Sequence, residues 1–333
     1  MTLSHLPVDF LIRLAPMRLP ASLPHPSRAQ KGNKSTFIPD GLQHSQFTVR
    51  RSDKATYILC SRSAVPVVAD PSNRGSRGVS VHPLLADHIA HLLRLRVLQE
   101  LELLADTLDS RTKHKLASPA RIIRRLTRSE WDDLRTTGTI PYPNALAVMV
   151  VPPLQKDPIT KLRPQPWMSA APLPPDPTPS PSKNVTTTPM HNEKEEKKLS
   201  LCTLHPVAPV AWDSELGGGV VPEAHVPLYN GVALFPKKPQ RAALHALLTR
   251  LLGIERASRH SRLSQTVEGG AGVGGRASHA FVLCGDKETV LRGDVAAVAI
   301  ALWRVRMFED EGDDVAALWE GAGGWERTAR PRP

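Results

Sequence analysis

Seven cations crowd into the stretch from 111 to 128: Arg111, Lys113, Lys115, Arg121, Arg124, Arg125 and Arg128, with His114 among them and no Asp or Glu. Helical spacing would put Arg121, Arg124, Arg125 and Arg128 on one face, at steps of three, one and three. Like charges that close repel one another until an anion neutralises them. Phosphate is the natural match, because the guanidinium group offers a planar two-pronged fork to its oxygens. Each phosphate held this way releases counterions and makes binding salt-dependent. The expectation is a phosphate- or RNA-binding helix, extended by Arg50, Arg51 and Lys54. The alternatives are a basic helix that faces another protein, or a solvated surface. Aromatic residues make up only 5% of the chain, which leaves few stacking platforms for single-stranded RNA.

Cys284-Gly285-Asp286 is the other chemical candidate. It sits between an expected strand and an expected helix, where a helix dipole lowers a thiol pKa and turns the cysteine into a nucleophile. Odd spacing on a strand puts His279 on the opposite face, so a base would have to be His225 or His245. The alternative is a buried structural cysteine. Gly270 to Gly275 spells GxGxxG, but it follows a polar segment and precedes a strand, whereas a dinucleotide site needs it between strand and helix. It reads as a loop. No GxxxxGK[ST], GxSxG or HExxH run occurs.

The acids Glu309, Asp310, Glu311, Asp313 and Asp314 lack EF-hand spacing and read as a solvated helix end. Cys60, Cys202 and Cys284 lie far apart with no CxxC, which argues against a disulfide framework and a zinc site. The balance leans away from an enzyme, and neither metal nor cofactor is expected.

The charge is uneven along the 333 residues. Residues 1–152 hold 21 Lys and Arg against 12 Asp and Glu, while the remainder holds 22 against 20. A basic half points to a polyanionic partner, RNA or a ribonucleoprotein, in keeping with the arginine run. Residues 1–39 contain five Lys and Arg, one acid and interspersed serines, as organelle transit peptides do. The expected compartment is the mitochondrial matrix, with nucleus or cytosol as the alternative. No apolar run approaches the roughly 20 residues of a membrane-spanning helix.

The elements that must position these residues can be read from periodicity. Phe47–Arg51 and Thr56–Cys60 predict a hairpin, and Ala64–Ala69 a third strand. Apolar residues at three- and four-residue steps from Leu85 to Leu108 predict a helix over 83–108. Ser118-Pro119 opens a helix over Arg121–Leu126, and Thr127-Arg128-Ser129-Glu130 is a capping box for another, with Gly138 as its stop. Ala145–Val151, Val232–Phe235 and Ala280–Cys284 read as strands. Pro239 opens a helix stopped at Gly253, the stretch from Arg256 to Arg276 reads as loop, and a buried helix runs over 293–308.

Residues from Pro152 to about Leu199 are too rich in proline and charge to pack, and they read as a disordered insert able to recruit a protein partner. The expected organisation is a targeting-like, disordered stretch 1–45, a basic half 46–152, a linker 153–205, a second half 206–310 and a flexible tail 311–333. The two halves together form one α/β fold, a small mixed sheet covered by helices and assembled from both sides of the proline-rich insert.

Overall fold

The computed structural model describes residues 6–18, 35–51, 54–69, 79–114, 122–156, 161–170, 200–208, 225–263, 276–286, 289 and 293–309, with the side chains of 259–263 excepted. The chain divides into two units, Met1–Thr107 with Lys287–Pro333, and Leu108–Asp286. Both are mixed α/β.

In the first unit, Leu11–Arg18 (β1) lies between Ser35–Asp40 (β2) and Thr56–Leu59 (β3), and Val79–Ser80 (β4) joins the far edge of β2. β1 is antiparallel to both neighbours, with Ile12 opposite Ile58 and Ala15 opposite Ile38. Pro16 is tolerated because it lies beyond Leu11–Leu14, the residues that pair with β3, so its missing N–H breaks no bond on that side. Arg13 and Asp40 form an ion pair that is almost wholly buried.

The stretch read as a disordered leader therefore contains two strands of a sheet. The alternation that buries Ile12, Leu14 and Phe37 is what the acid-poor composition concealed. The predicted hairpin is also corrected. Residues 47–51 form turn and loop, and Thr56–Leu59 pairs with β1 instead. Ala64–Ala69 is a short helix (α1), not a strand, since Pro66 sits in its first turn, where a helix needs no N–H.

Leu85–Lys113 (α2) starts two residues after the predicted position and runs five residues further. Its middle is buried almost all round, so Gln99 and Glu100 are buried too. Glu100 pairs with Arg96, and Gln99 accepts the His44 N–H at 2.9 Å. The last helix, Ala296–Glu309 (α6), buries Val298, Leu302, Val305 and Phe308. It is tied to the rest of its unit by a T-shaped contact of Trp303 with Phe10 at 4.8 Å and by Arg304 donating to the Leu11 carbonyl at 2.9 Å. Glu309, read as part of a solvated acid run, instead accepts from Arg94 at 2.6 Å and Arg62 at 3.4 Å.

In the second unit, Ile123–Thr127 (β5), Ala145–Val150 (β6), Cys202–Pro206 (β7), His225–Asn230 (β8) and Ala277–Cys284 (β9) form one sheet in the order β5-β9-β6-β8-β7. Its strands come from both sides of the proline-rich segment, as expected, but the described residues build two sheets rather than one. β6 is apolar because it is central, flanked by β9 antiparallel and β8 parallel. Arg128–Thr137 (α3) has the full capping box of Thr127 with Glu130, and it stops at Gly138, whose φ of 68° suits glycine.

Three further expectations shift here. Where a helix is predicted over Arg121–Leu126, residues 123–126 belong to strand β5, and Arg121 lies outside the described residues. Glu255 accepts the backbone N–H groups of Ile122 and Ile123, each at 2.7 Å, and β9 pairs along the strand. The strand predicted at Val232–Phe235 is the short helix Gly231–Leu234 (α4), capped by the Asn230 side chain on the Val232 N–H at 3.0 Å. A Cβ on Gly231 would lie 2.6 Å from the Val150 carbonyl oxygen, so only glycine lets the chain turn there. Lys238–Leu263 (α5) continues through Gly253, which is exposed and where an added Cβ would meet only open space. One interior glycine costs about 1 kcal/mol, less than the burial of Leu244, Leu248, Leu251 and Leu252 returns.

The linker ends earlier than 205, since β7 begins at Cys202. Residues 171–199, the glycines 270–275 and the tail 310–333 lie outside the described residues. Among the described residues no helix is long and apolar enough to cross a membrane.

Candidate phosphate-binding site

The predicted arginine stripe does not exist as a stripe, because it belongs to a strand. Arg124 stands opposite Val282, and Arg125 opposite Phe281. Adjacent strand residues point to opposite faces, so the two arginines are separated by the sheet itself.

Arg124 lies on the face that packs Leu126, Val148, Ala280, Val282 and Cys284 under α3. There its guanidinium is already satisfied. It donates to Glu130 at 2.6 Å and sits 4.3 Å from the centre of the Tyr142 ring, whose hydroxyl also donates to Glu130. Burial opposes the Glu130 charge. The hydrogen bonds from Tyr142 and Thr127 and the Arg124 charge outweigh it, holding the carboxyl below its ordinary range. Burial and the bond to Glu130 push the Tyr142 hydroxyl up. This network closes the start of α3 and has no cation to spare.

Arg125 is on the other face, beside α5. Its Nε donates to the Ser278 carbonyl at 2.6 Å, and the guanidinium lies 5.5 Å from the centre of the Phe281 ring. These two contacts fix the side chain while leaving most of its donors unassigned. His279, two residues before Phe281 on β9, shares that face. His245 on α5 meets it, with its pKa lowered first by burial and then by the positive charges of Arg125, His279 and Arg163. Arg163 comes from residues 161–170. Four elements thus bring Arg125, His279, His245 and Arg163 to one face, and the charges that lower the His245 pKa are those of Arg125, His279 and Arg163.

Further cations border the cluster. Arg241 is one turn before His245 on α5, so their side chains neighbour each other. Its Nε is buried and has no hydrogen-bond partner among the described residues, although another guanidinium nitrogen reaches the Pro236 carbonyl at 3.4 Å. Burial lowers its pKa as well. In α5, six Lys and Arg stand against one acid, and that acid is Glu255, which is buried on the amides of Ile122 and Ile123. The acids of α3 lie with that helix on the opposite face.

The remaining expected residues are scattered. Arg111 and Lys113 are in the last turn of α2, where Lys113 pairs with Asp109 at 2.7 Å. Lys115 and Arg121 lie outside the described residues. Of the expected set, only Arg125 joins the cluster, since Arg128 opens α3, which packs on the other face of the sheet. Arg163, Arg241, His245 and His279 were not singled out as phosphate ligands. No local pattern pointed to them, because they come from the 161–170 segment, α5 and β9, which only the fold brings together.

Cys284 is buried, in line with Val282 and Ala280 inside the apolar layer under α3. His279 is exposed near the far end of β9 and on the other face, so no base stands beside the thiol from that strand. The Cys284 N–H donates to the Ile122 carbonyl and the Gly285 N–H to the Asn144 carbonyl, each at 2.8 Å. No helix N-terminus takes over at this point among the described residues. Among those residues no group of three or more His, Cys, Asp or Glu is arranged to hold a metal ion.

The cluster is a place where an anion would relieve repulsion the fold has built in, and the chain must be judged on that geometry, because no protein-family model, no curated protein and no solved structure matches it.

Proposed function

We propose that the protein is a non-enzymatic RNA- or ribonucleoprotein-associated factor that grips the phosphate backbone through the cationic cluster on the β5–β9 face of its second unit. The observation that supports this is that β5, β9, α5 and the 161–170 segment meet on one face, where Arg125 donates to the Ser278 carbonyl, the Trp167 N–H donates to Pro239, and the charges of Arg125, His279 and Arg163 lower the pKa of His245. The guanidinium charges brought there have no carboxylate beside them among the described residues, and binding a polyanion would turn their unfavourable proximity into attraction. The net charge of +11 adds long-range steering toward a nucleic acid.

The compartment proposed is the mitochondrial matrix, on the strength of the basic, acid-poor start of the chain. Removal of residues 1–45 as a cleaved leader would delete β1 and β2. Import therefore has to leave those strands in place. The full-length chain carrying a C-terminal tag should localise to mitochondria without losing its first forty residues. A diffuse or nuclear signal would refute the compartment.

The binding itself is tested on the full chain with fluorescent RNA across a salt series. Replacing Arg125 and Arg163 together with Gln should lower the slope of log affinity against log salt by about 1.4 on single strands, about 0.7 for each phosphate no longer neutralised. A slope unchanged in the double variant would refute the site.

A further inference from the structure

Residues 161–170, Lys-Leu-Arg-Pro-Gln-Pro-Trp-Met-Ser-Ala, form neither helix nor strand, and they contain two cations and no acid. They deliver Arg163 to the basic cluster, and four residues later they expose an indole. Trp167 is 37% accessible, an unusual surface for the largest side chain in a protein with so few aromatics. The segment does not hang free. The Trp167 N–H donates to the Pro239 carbonyl at 3.2 Å, which anchors it to the first turn of α5, the helix that carries Arg241 and His245.

Pro164 and Pro166 flank the site. Each fixes its own φ and biases the residue before it toward extended backbone. The ring is thus presented by a stiff segment, and binding to it loses little conformational entropy. Lys161 and Arg163 stand on the N-terminal side of the indole, and Lys237 and Lys238 are exposed beside its anchor. An apolar ring framed by cations suits an occupant with a π face and a negative backbone, repeated at short intervals. Only an unpaired nucleic acid strand offers both, because duplex bases are already stacked.

We infer that the cluster binds single-stranded RNA in preference to duplex, with one base stacked on Trp167 while the backbone phosphates of its neighbours run over Arg163 toward Arg125. The inference rests on the phosphate-binding reading and adds strand selectivity to it.

The test compares the full-length wild type with Trp167→Ala and Trp167→Phe, using a fluorescent single-stranded RNA and a duplex of the same sequence. Trp167→Ala should weaken the single strand by about 5- to 150-fold, the usual range for one stacked base, and leave the duplex nearly unchanged. Trp167→Phe, which keeps a ring, should recover most of the loss. Equal weakening of both probes by Trp167→Ala, no weakening of either, or a Phe variant as poor as Ala would overturn the inference.

A second measurement needs no variant. Photocrosslinking of a 4-thiouridine single strand to the wild-type chain should label the peptide that contains Trp167, and labelling confined to other peptides would also overturn it. The two readings fail separately. If Trp167 proves silent while Arg125→Gln with Arg163→Gln abolishes binding, the phosphate site stands without the stacking platform. If the arginine pair is silent, the site itself is wrong.

Discussion

Arg124 and Arg125 are identical and adjacent, yet the sheet assigns them opposite work, and substituting each with Gln separates the two roles. Arg124→Gln removes a half-exposed ion pair, usually about 0.2–1 kcal/mol, and the stacking on Tyr142, about 0.5–1 kcal/mol. The combined loss of about 1–2 kcal/mol should lower the melting midpoint of a unit this size by roughly 2–8 °C. Arg124 already spends its charge on Glu130, so RNA affinity and its salt slope should not move. Arg125→Gln should lose a charge-assisted contact to phosphate, about 1.5–3 kcal/mol or roughly 10- to 150-fold in affinity. The salt slope on single strands should fall by about 0.7 with it. Anisotropy with labelled RNA and a thermal melt on the same preparations read both quantities. If Arg124→Gln weakens binding as much as Arg125→Gln, the two side chains act on one surface, and the assignment to opposite faces is refuted.

Glu255→Ala strands the buried N–H groups of Ile122 and Ile123, which should cost about 1–3 kcal/mol each in denaturant unfolding, whereas Glu255→Gln keeps an acceptor and should lose less. Burial pushes the Cys60 thiol up to about 11, and Cys284 is packed in an apolar layer, so a thiol reagent at pH 8 should label the half-buried Cys202 first and the other two only on unfolding. Rapid labelling of Cys284 in the folded chain would favour the cysteine-nucleophile reading instead. The lowered pKa of His245 leaves it uncharged at neutral pH in the free protein, while a bound phosphate favours its cation. RNA affinity should therefore rise as pH falls below neutral. Stability should run the other way, because the unfolded chain takes up that proton at higher pH than the folded one. His245→Gln should flatten both trends, and an affinity independent of pH in the wild type would remove His245 from the site.

What the sequence made legible was the set of elements whose local signals agree with their surroundings. The capping box at Thr127 and the stop at Gly138 are satisfied by neighbours a few residues away, so α3 could be placed closely. The apolar run of β6 could be recognised as a central strand because its composition reflects two covered faces. The arginine run failed for the converse reason. Ile122 to Leu126 suits either period, and strand wins only because Glu255 and β9, more than 130 residues away, satisfy its backbone. That change of period moves Arg124 to one face and Arg125 to the other, which no local pattern records. The N-terminus misled through composition, since a strand that alternates buried Ile12 and Leu14 with the paired Arg13 looks like a basic leader when Asp40 is not yet in view. The cluster itself was unreadable because its members belong to β5, the 161–170 segment, α5 and β9, and only the sheet order brings them together.

That sheet order leads to a last prediction. Fragment 1–170 would hold β5 and β6, and everything from residue 200 onward would hold β7, β8 and β9. In the order β5-β9-β6-β8-β7, a strand of the later fragment separates β5 from β6, and β6 is bonded on both sides to strands of the later fragment. The first unit is divided by the same cut, with Glu309 and Arg304 of α6 on one side and Arg62, Arg94 and Leu11 on the other. Cleavage at a specific protease site inserted between residues 171 and 199 breaks one peptide bond but none of these ladders. The two fragments should co-elute on size exclusion, retain RNA binding, and separate only in denaturant. Independent elution of two folded fragments in buffer would mean that the second unit's sheet is not shared across the cut, and both the fold assignment and the convergence of Arg125 and Arg163 with His245 and His279 would fall together.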